Sequence, residues 1–114
     1  MSEPVGLAAE VWAAPGPWRA GLDRIAGGRA DVFQIECRVV DQHGRPARDE
    51  VVITADVDGG ELLGLDNGDL TDTTPYRVDH RSTLDGMLVA YVRGAGATVT
   101  LRASGLPDLV VGVP

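Results

Sequence analysis

Val32-Phe33-Gln34-Ile35-Glu36-Cys37-Arg38-Val39-Val40-Asp41 alternates with a period of two. Phe33, Ile35, Cys37 and Val39 fall on one side; Gln34, Glu36 and Arg38 fall on the other. Side chains point alternately to opposite faces only in an extended chain, so the pattern predicts a half-buried antiparallel strand. Asp41-Gln42-His43-Gly44-Arg45-Pro46 then reads as a turn, with Gly44 free to take positive φ and Pro46 closing the bend. The period continues beyond it. Val51, Ile53, Ala55 and Val57 alternate with Val52, Thr54, Asp56 and Asp58, and Asp58-Gly59-Gly60 stops the strand.

Working outward, Glu61–Leu65 predicts a further short strand, and Arg77–Leu84 holds another. Asp85-Gly86 is a tight-turn signal. Met87–Arg93 is apolar enough for a central strand, Val99–Ser104 alternates again, and Leu109–Val113 suits a last edge strand. At the front, Leu7–Ala13 reads as a first strand that Ala14-Pro15-Gly16-Pro17 breaks. Its alanines would also suit a helical turn, but no apolar stripe long enough for a packed helix occurs anywhere. Leu22–Ile25 reads as a short piece before a Gly27-Gly28 turn, and residues 66–80 as a long polar loop. Short strands at regular spacing with turn residues between them imply an all-β sandwich of seven or eight strands.

The 114 residues suffice for one domain with a modest core. Aromatic residues are few (Trp12, Trp18, Phe33, Tyr76 and Tyr91), so the core must be mainly Val, Leu, Ala and Ile. There is no lysine, and the net charge of −7 argues against nucleic acid and against an anionic membrane surface. No apolar run approaches the roughly 20 residues that span a bilayer. The first ten residues lack the basic and apolar regions of a signal peptide, which favours the cytoplasm. Cys37 has no partner for an internal disulfide. In its alternating strand it reads as a buried thiol, with no local His to make it a nucleophile.

Gly60-Glu61-Leu62-Leu63-Gly64-Leu65-Asp66-Asn67-Gly68-Asp69 holds the one asparagine of the chain. It joins a recognisable series. Before it stands Val39-Val40-Asp41-Gln42-His43-Gly44-Arg45-Pro46; after it come Arg81-Ser82-Thr83-Leu84-Asp85-Gly86-Met87-Leu88-Val89-Ala90-Tyr91-Val92-Arg93 and Thr100-Leu101-Arg102-Ala103-Ser104-Gly105-Leu106. The series resembles the C-terminal immunoglobulin-like domain of glycoside hydrolase family 2 enzymes, the β-galactosidase type. That domain carries a VxVxDxxGxxVP strand and turn, a GxLxGxDNGD segment, an RxxFxGxxLAxVR-like strand pair and a closing TLxAxxxGL. The resemblance covers roughly residues 22–107. Invasin-type immunoglobulin domains share its first two elements more loosely. Leu84 replaces the family's usual aromatic, read as a conservative core change, and Ala47 replaces a common Val. The first 20 residues fit poorly and are assigned to an N-terminal strand and linker, with the immunoglobulin-like domain at 21–114.

The resemblance implies an immunoglobulin-like antiparallel sandwich with Greek-key connections. It implies an accessory part of a hydrolase, partnered by the parent's other domains and needing no cofactor. In that family catalysis uses two Glu residues on a barrel, and a barrel takes about 250 residues. Hydrolysis by this chain alone would need two carboxyl groups about 5–5.5 Å or 6.5–9.5 Å apart across a cleft. Glu61, Asp66, Asp69 and Asp72 cluster in sequence, but acidic residues in a net-negative loop more often form a solvated surface. Asp66, Asp69 and Asp72 are also the candidate calcium ligands. Their spacing misses the EF-hand pattern, because Gly68 comes too early. The competing reading makes Asp66 a cap for backbone N–H groups and Asn67-Gly68 a left-handed corner. Such a bend would expose Asn67 and Asp69 as contact groups at one end of the sandwich. Trp12 and Trp18 are the candidates for stacking on carbohydrate, against a reading in which Trp12 packs in the core and Trp18 on a neighbouring domain. His43 and His80 lack a third ligand at a zinc-like spacing and read as surface residues.

Overall fold

Alternation fixes which side chains are buried, and burial fixes how the strands stack. The computed structural model describes residues 4–13, 32–68 and 78–114. The strands are β1 (Gly6–Ala13), β2 (Val32–Val40), β3 (Val52–Asp58), β4 (Glu61–Asp66), β5 (His80–Ser82), β6 (Met87–Arg93), β7 (Thr98–Ala103) and β8 (Leu109–Gly112). They form two four-stranded antiparallel sheets, β1-β2-β6-β4 and β5-β3-β7-β8. The first has the A-B-E-D order of an immunoglobulin domain. In the second, β3-β7-β8 match C-F-G, and β5 adds an edge beside β3. The short piece at Leu22–Ile25 and the Gly27-Gly28 turn lie outside the described residues.

In β2, Ile35, Cys37 and Val39 are fully buried, and Phe33 packs on the margin of the core. Leu65, Leu88, Ala90 and Val92 complete the first sheet's inner face. Ile53, Ala55, Val99 and Leu101 oppose them from the second. Each fully buried Ile, Leu or Val contributes about 1.5–3 kcal/mol relative to exposure. β1 is a strand rather than a helical turn. It pairs with β2 along its whole length, with Leu7, Ala9 and Val11 turned to the core.

β4 departs from simple alternation. Leu62 opposes Val92, and the next pair is Gly64 with Tyr91. Leu63 is the extra residue of a β-bulge, so Leu62 and Leu65 both face inward although three positions apart. The shift leaves Gly64 outward, buried opposite Tyr91.

Cys37 is buried without a disulfide partner, and burial pushes its thiol up to about 12. A thiol held neutral in this way packs as a small apolar group.

Candidate interaction site

Antiparallel pairing gathers several loops at one end of the first sheet. Gly6 stands opposite Val40, Arg38 opposite Met87, and Val89 opposite Asp66. The start of β1, the turn after β2, the turn before β6 and the bend after β4 therefore share that end.

The bend after β4 is built by side chain to backbone hydrogen bonds. Gly68 N–H donates to Asp66 Oδ1 at 2.8 Å, and Gly68 takes a φ of +77°. Asn67 does not share the left-handed conformation, since Asp85 is the one described non-glycine residue with positive φ. Nor is Asn67 a free contact group. Its Nδ2 donates to the Ser82 carbonyl at 2.7 Å in a part-buried position. Ser82 belongs to β5, so this bond ties the end of the first sheet to the edge of the second. An amide donor on a short stem is what the site uses, which gives the chain's one asparagine a structural task. The left-handed Asn67 of the sequence reading is corrected accordingly, and its side chain is half-buried rather than fully outward.

The turn before β6 is equally well fixed. Leu84 and Met87 exchange backbone hydrogen bonds of 3.0 and 2.9 Å around Asp85 (φ +51°) and Gly86 (φ +77°). Two successive positive φ values make a type I′ hairpin, whose twist matches that of the strands. A Cβ on Gly86 would lie 2.0 Å from the Ala47 carbonyl oxygen. Val39 N–H donates to the Gly86 carbonyl at 2.8 Å. The hairpin thus rests on the segment leaving the preceding turn, where Asp41 Oδ1 accepts from His43 and Arg45 N–H and Gly44 has a φ of +74°. Pro46 bridges back to Val40. Buried Thr83 locks the other side, donating to the Asp49 carbonyl and accepting from Val51 N–H.

Between these two turns lies a shallow hollow of about 340 Å³, whose lining includes Asp66, Asn67, Leu84, Asp85, Met87 and Val89. Leu84 is 42% exposed and Met87 39%. Leu84 is therefore no core residue, contrary to its reading as a core substitution. It is the first residue of the I′ turn, opposite Met87, and both side chains project outward. Residue chemistry had singled out Asp66 here and missed Leu84 and Met87. Their signal was present in Met87–Arg93, where apolar residues occupy both phases of the alternation.

The same outward face carries Trp12, which is 51% exposed on edge strand β1, in register with Gln34 and hence with Tyr91. Trp12 packing in the core is thus overturned: core contacts in β1 belong to Leu7, Ala9 and Val11. Partial burial, and secondarily the charge of Asp66, raise the Tyr91 hydroxyl above its ordinary value. Glu36 pairs with Arg38 in the middle of the face.

Asp69, Asp72, Trp18 and Tyr76 lie outside the described residues. Among the described residues no group of three His, Cys, Asp or Glu side chains is placed to hold a metal. His43 and His80 are exposed.

No curated protein matches the chain. Among solved structures, the sandwich is similar to a glycosyl hydrolase family 2 member from Bacteroides cellulosilyticus DSM 14838, with a TM-score of 0.79 and 16% identity. That match covers 98% of this chain and 15% of the other. A β-glycosidase from Bacteroides vulgatus gives 0.78 and 24%, over 97% of this chain and 14% of that one. Parabacteroides merdae β-glucuronidase gives 0.69 and 14%, over 97% and 12%. At these identities the likeness establishes the fold, and the chain spans only a small part of each glycosidase. A family model, glycoside hydrolase family 2 C-terminal domain 5, matches residues 19–110. The chain belongs to this family of C-terminal domains.

Proposed function

We propose that this chain is the non-catalytic accessory domain of a longer family 2 glycoside hydrolase, β-galactosidase-like in type, which packs on the catalytic assembly and stiffens it. The observation that carries the reading is the match of nearly the whole chain to 11–15% of glycosidase chains. The partners in this reading are the parent's other domains, reached through the end of the sandwich that carries Asp66. The division at residue 20 belongs to the same reading as a division of sequence alone, since β1, in the first segment, is the first strand of the sandwich itself. Sequencing upstream of Met1 tests it: a barrel with paired Glu residues supports the proposal, and a string of immunoglobulin repeats contradicts it. The purified 114-residue chain should leave chromogenic galactosides unhydrolysed, and turnover above background would contradict the accessory role.

A second reading, a free-standing or invasin-like module that binds carbohydrate, is favoured by one observation, the exposed ring of Trp12. Galactoside titration followed by tryptophan fluorescence separates the two. The accessory reading predicts no change at millimolar sugar.

A further inference from the structure

We propose that the corner formed by Leu84 and Met87, with the adjoining hollow and its acidic rim, is the surface on which the polypeptide preceding this domain docks. The inference rests on the reading of the chain as the C-terminal part of a longer hydrolase, and it adds which face is covered and by what.

Chain path is the first argument. β1 begins at the same end of the first sheet as the hairpin, with Val5 N–H bonded to the Val40 carbonyl at 2.9 Å. β1 and β6 are separated by β2 alone, so at a spacing of about 4.8 Å per strand Ala8 lies about 10 Å from Met87, and the chain enters β1 two residues beyond Ala8 at that same end. In the similar glycosidases most of the polypeptide lies outside the matched domain, and the family is a C-terminal one, which puts that bulk ahead of β1.

Surface chemistry is the second. Scattered exposed apolar residues are ordinary. Leu84 and Met87 are instead neighbours across one turn and border a concavity. The turn is already held by its own hydrogen bonds, so docking would order little additional backbone. Asp66 and Asp85 rim the hollow, both exposed, and no cation among the described residues forms an ion pair with either. The surface therefore fits a partner presenting an apolar side chain flanked by Arg or Lys. A second copy of this chain fits poorly: a two-fold interface would bring the acidic rims together on a chain of net charge −7.

Leu84→Cys and Met87→Cys provide reporters at the corner; Val52→Cys and Val110→Cys provide them on exposed positions of the other sheet. Native Cys37 is buried and contributes little background. Maleimide labelling rates are compared between the 114-residue chain and the whole polypeptide, after each variant's melting temperature has been checked. The expected result is that positions 84 and 87 slow by about tenfold or more in the whole polypeptide while 52 and 110 do not change. Protection of 52 and 110 instead overturns the assigned face and leaves the accessory reading standing. Equal rates everywhere, or a coding region with nothing ahead of Met1, overturn both.

Discussion

The two outward faces of the sandwich are made by strands of similar length and present different surfaces. On the second sheet the outward positions include Thr54, Asp56, Asp58, Thr98, Thr100 and Arg102, with Val52 and Val110 as isolated apolar residues. Arg102 bridges toward Asp56 and Asp108. This is the apolar-in, polar-out alternation of a sheet that faces water. On the first sheet, Trp12, Met87, Val89 and Tyr91 stand outward beside Glu10, Gln34, Glu36 and Arg38, joined at one end by Leu84. Its central strand β6 is apolar in both phases, as in a strand that is covered on both sides. The difference teaches that a sandwich's core and its contact surface are written in the same code. The second apolar phase of β6 is what the proposed docking at the Leu84–Met87 corner would account for.

The largest effect should come from the turns that shape those faces. Gly86→Ala places a Cβ 2.0 Å from a backbone oxygen at positive φ, and should cost about 3 kcal/mol or more in denaturant unfolding. Gly105→Ala, at a similar φ in the turn between β7 and β8 but with nothing within 4 Å, should cost only about 1 kcal/mol. Equal costs would mean that the first sheet's turn is no more constrained than the second's.

Next comes the tie between the sheets. Asn67→Ala removes the donor to the Ser82 carbonyl and should cost about 1–2 kcal/mol, with faster amide exchange in β5. An unchanged unfolding midpoint would show that this bond does not tie the sheets together.

The shared interior gives a pH prediction. Burial raises the Cys37 thiol from 9.0 to about 12. Below pH about 9 both folded and unfolded chains keep the proton, and the contribution is fully present. Above it the unfolded chain loses the proton while the folded chain holds it. Stability should therefore fall by at most about 1.4 kcal/mol per pH unit until pH reaches about 12. The Cys37→Ala variant should lack this part of the alkaline loss; an identical profile would show that the thiol is not held neutral.

The smallest effects compare the faces directly. In the 114-residue chain, Met87→Ser and Val110→Ser should each shift stability by no more than about 0.5 kcal/mol, as exposed substitutions do. In the whole polypeptide, Met87→Ser alone should become more costly, by about 1 kcal/mol, measured by thermal unfolding. Equal penalties would erase the distinction between the faces.

The strands were legible in the sequence because alternation reports directly on burial. The sheet partners of β3 and β4 were not, since Asp58-Gly59-Gly60 reads equally as a hairpin or as a passage from one sheet to the other. The bulge at Leu63 was hidden because an added residue imitates a break in period. At the candidate site the sequence pointed to Asp66 and to the turn residues. It misplaced Asn67, whose amide points inward through a bond to a carbonyl fifteen residues away. It also misplaced Leu84, a large apolar residue that was read as core and that the fold leaves exposed, whereas of the two readings open for Trp12 the exposed one fits the fold. Both errors have one origin. Sequence pattern reports which phase of a strand is apolar, not which long-range partner a turn or an edge will meet.

The central claim is that the first sheet's outward face is covered in the parent protein and the second's is not. A side-chain-resolution structure of the whole polypeptide measures this directly. The account predicts Leu84 and Met87 buried against residues that precede β1, with a basic group near Asp66 or Asp85, and Val52 and Val110 still in solvent. Leu84 and Met87 left in solvent, with the Val52 and Val110 face covered instead, would contradict it.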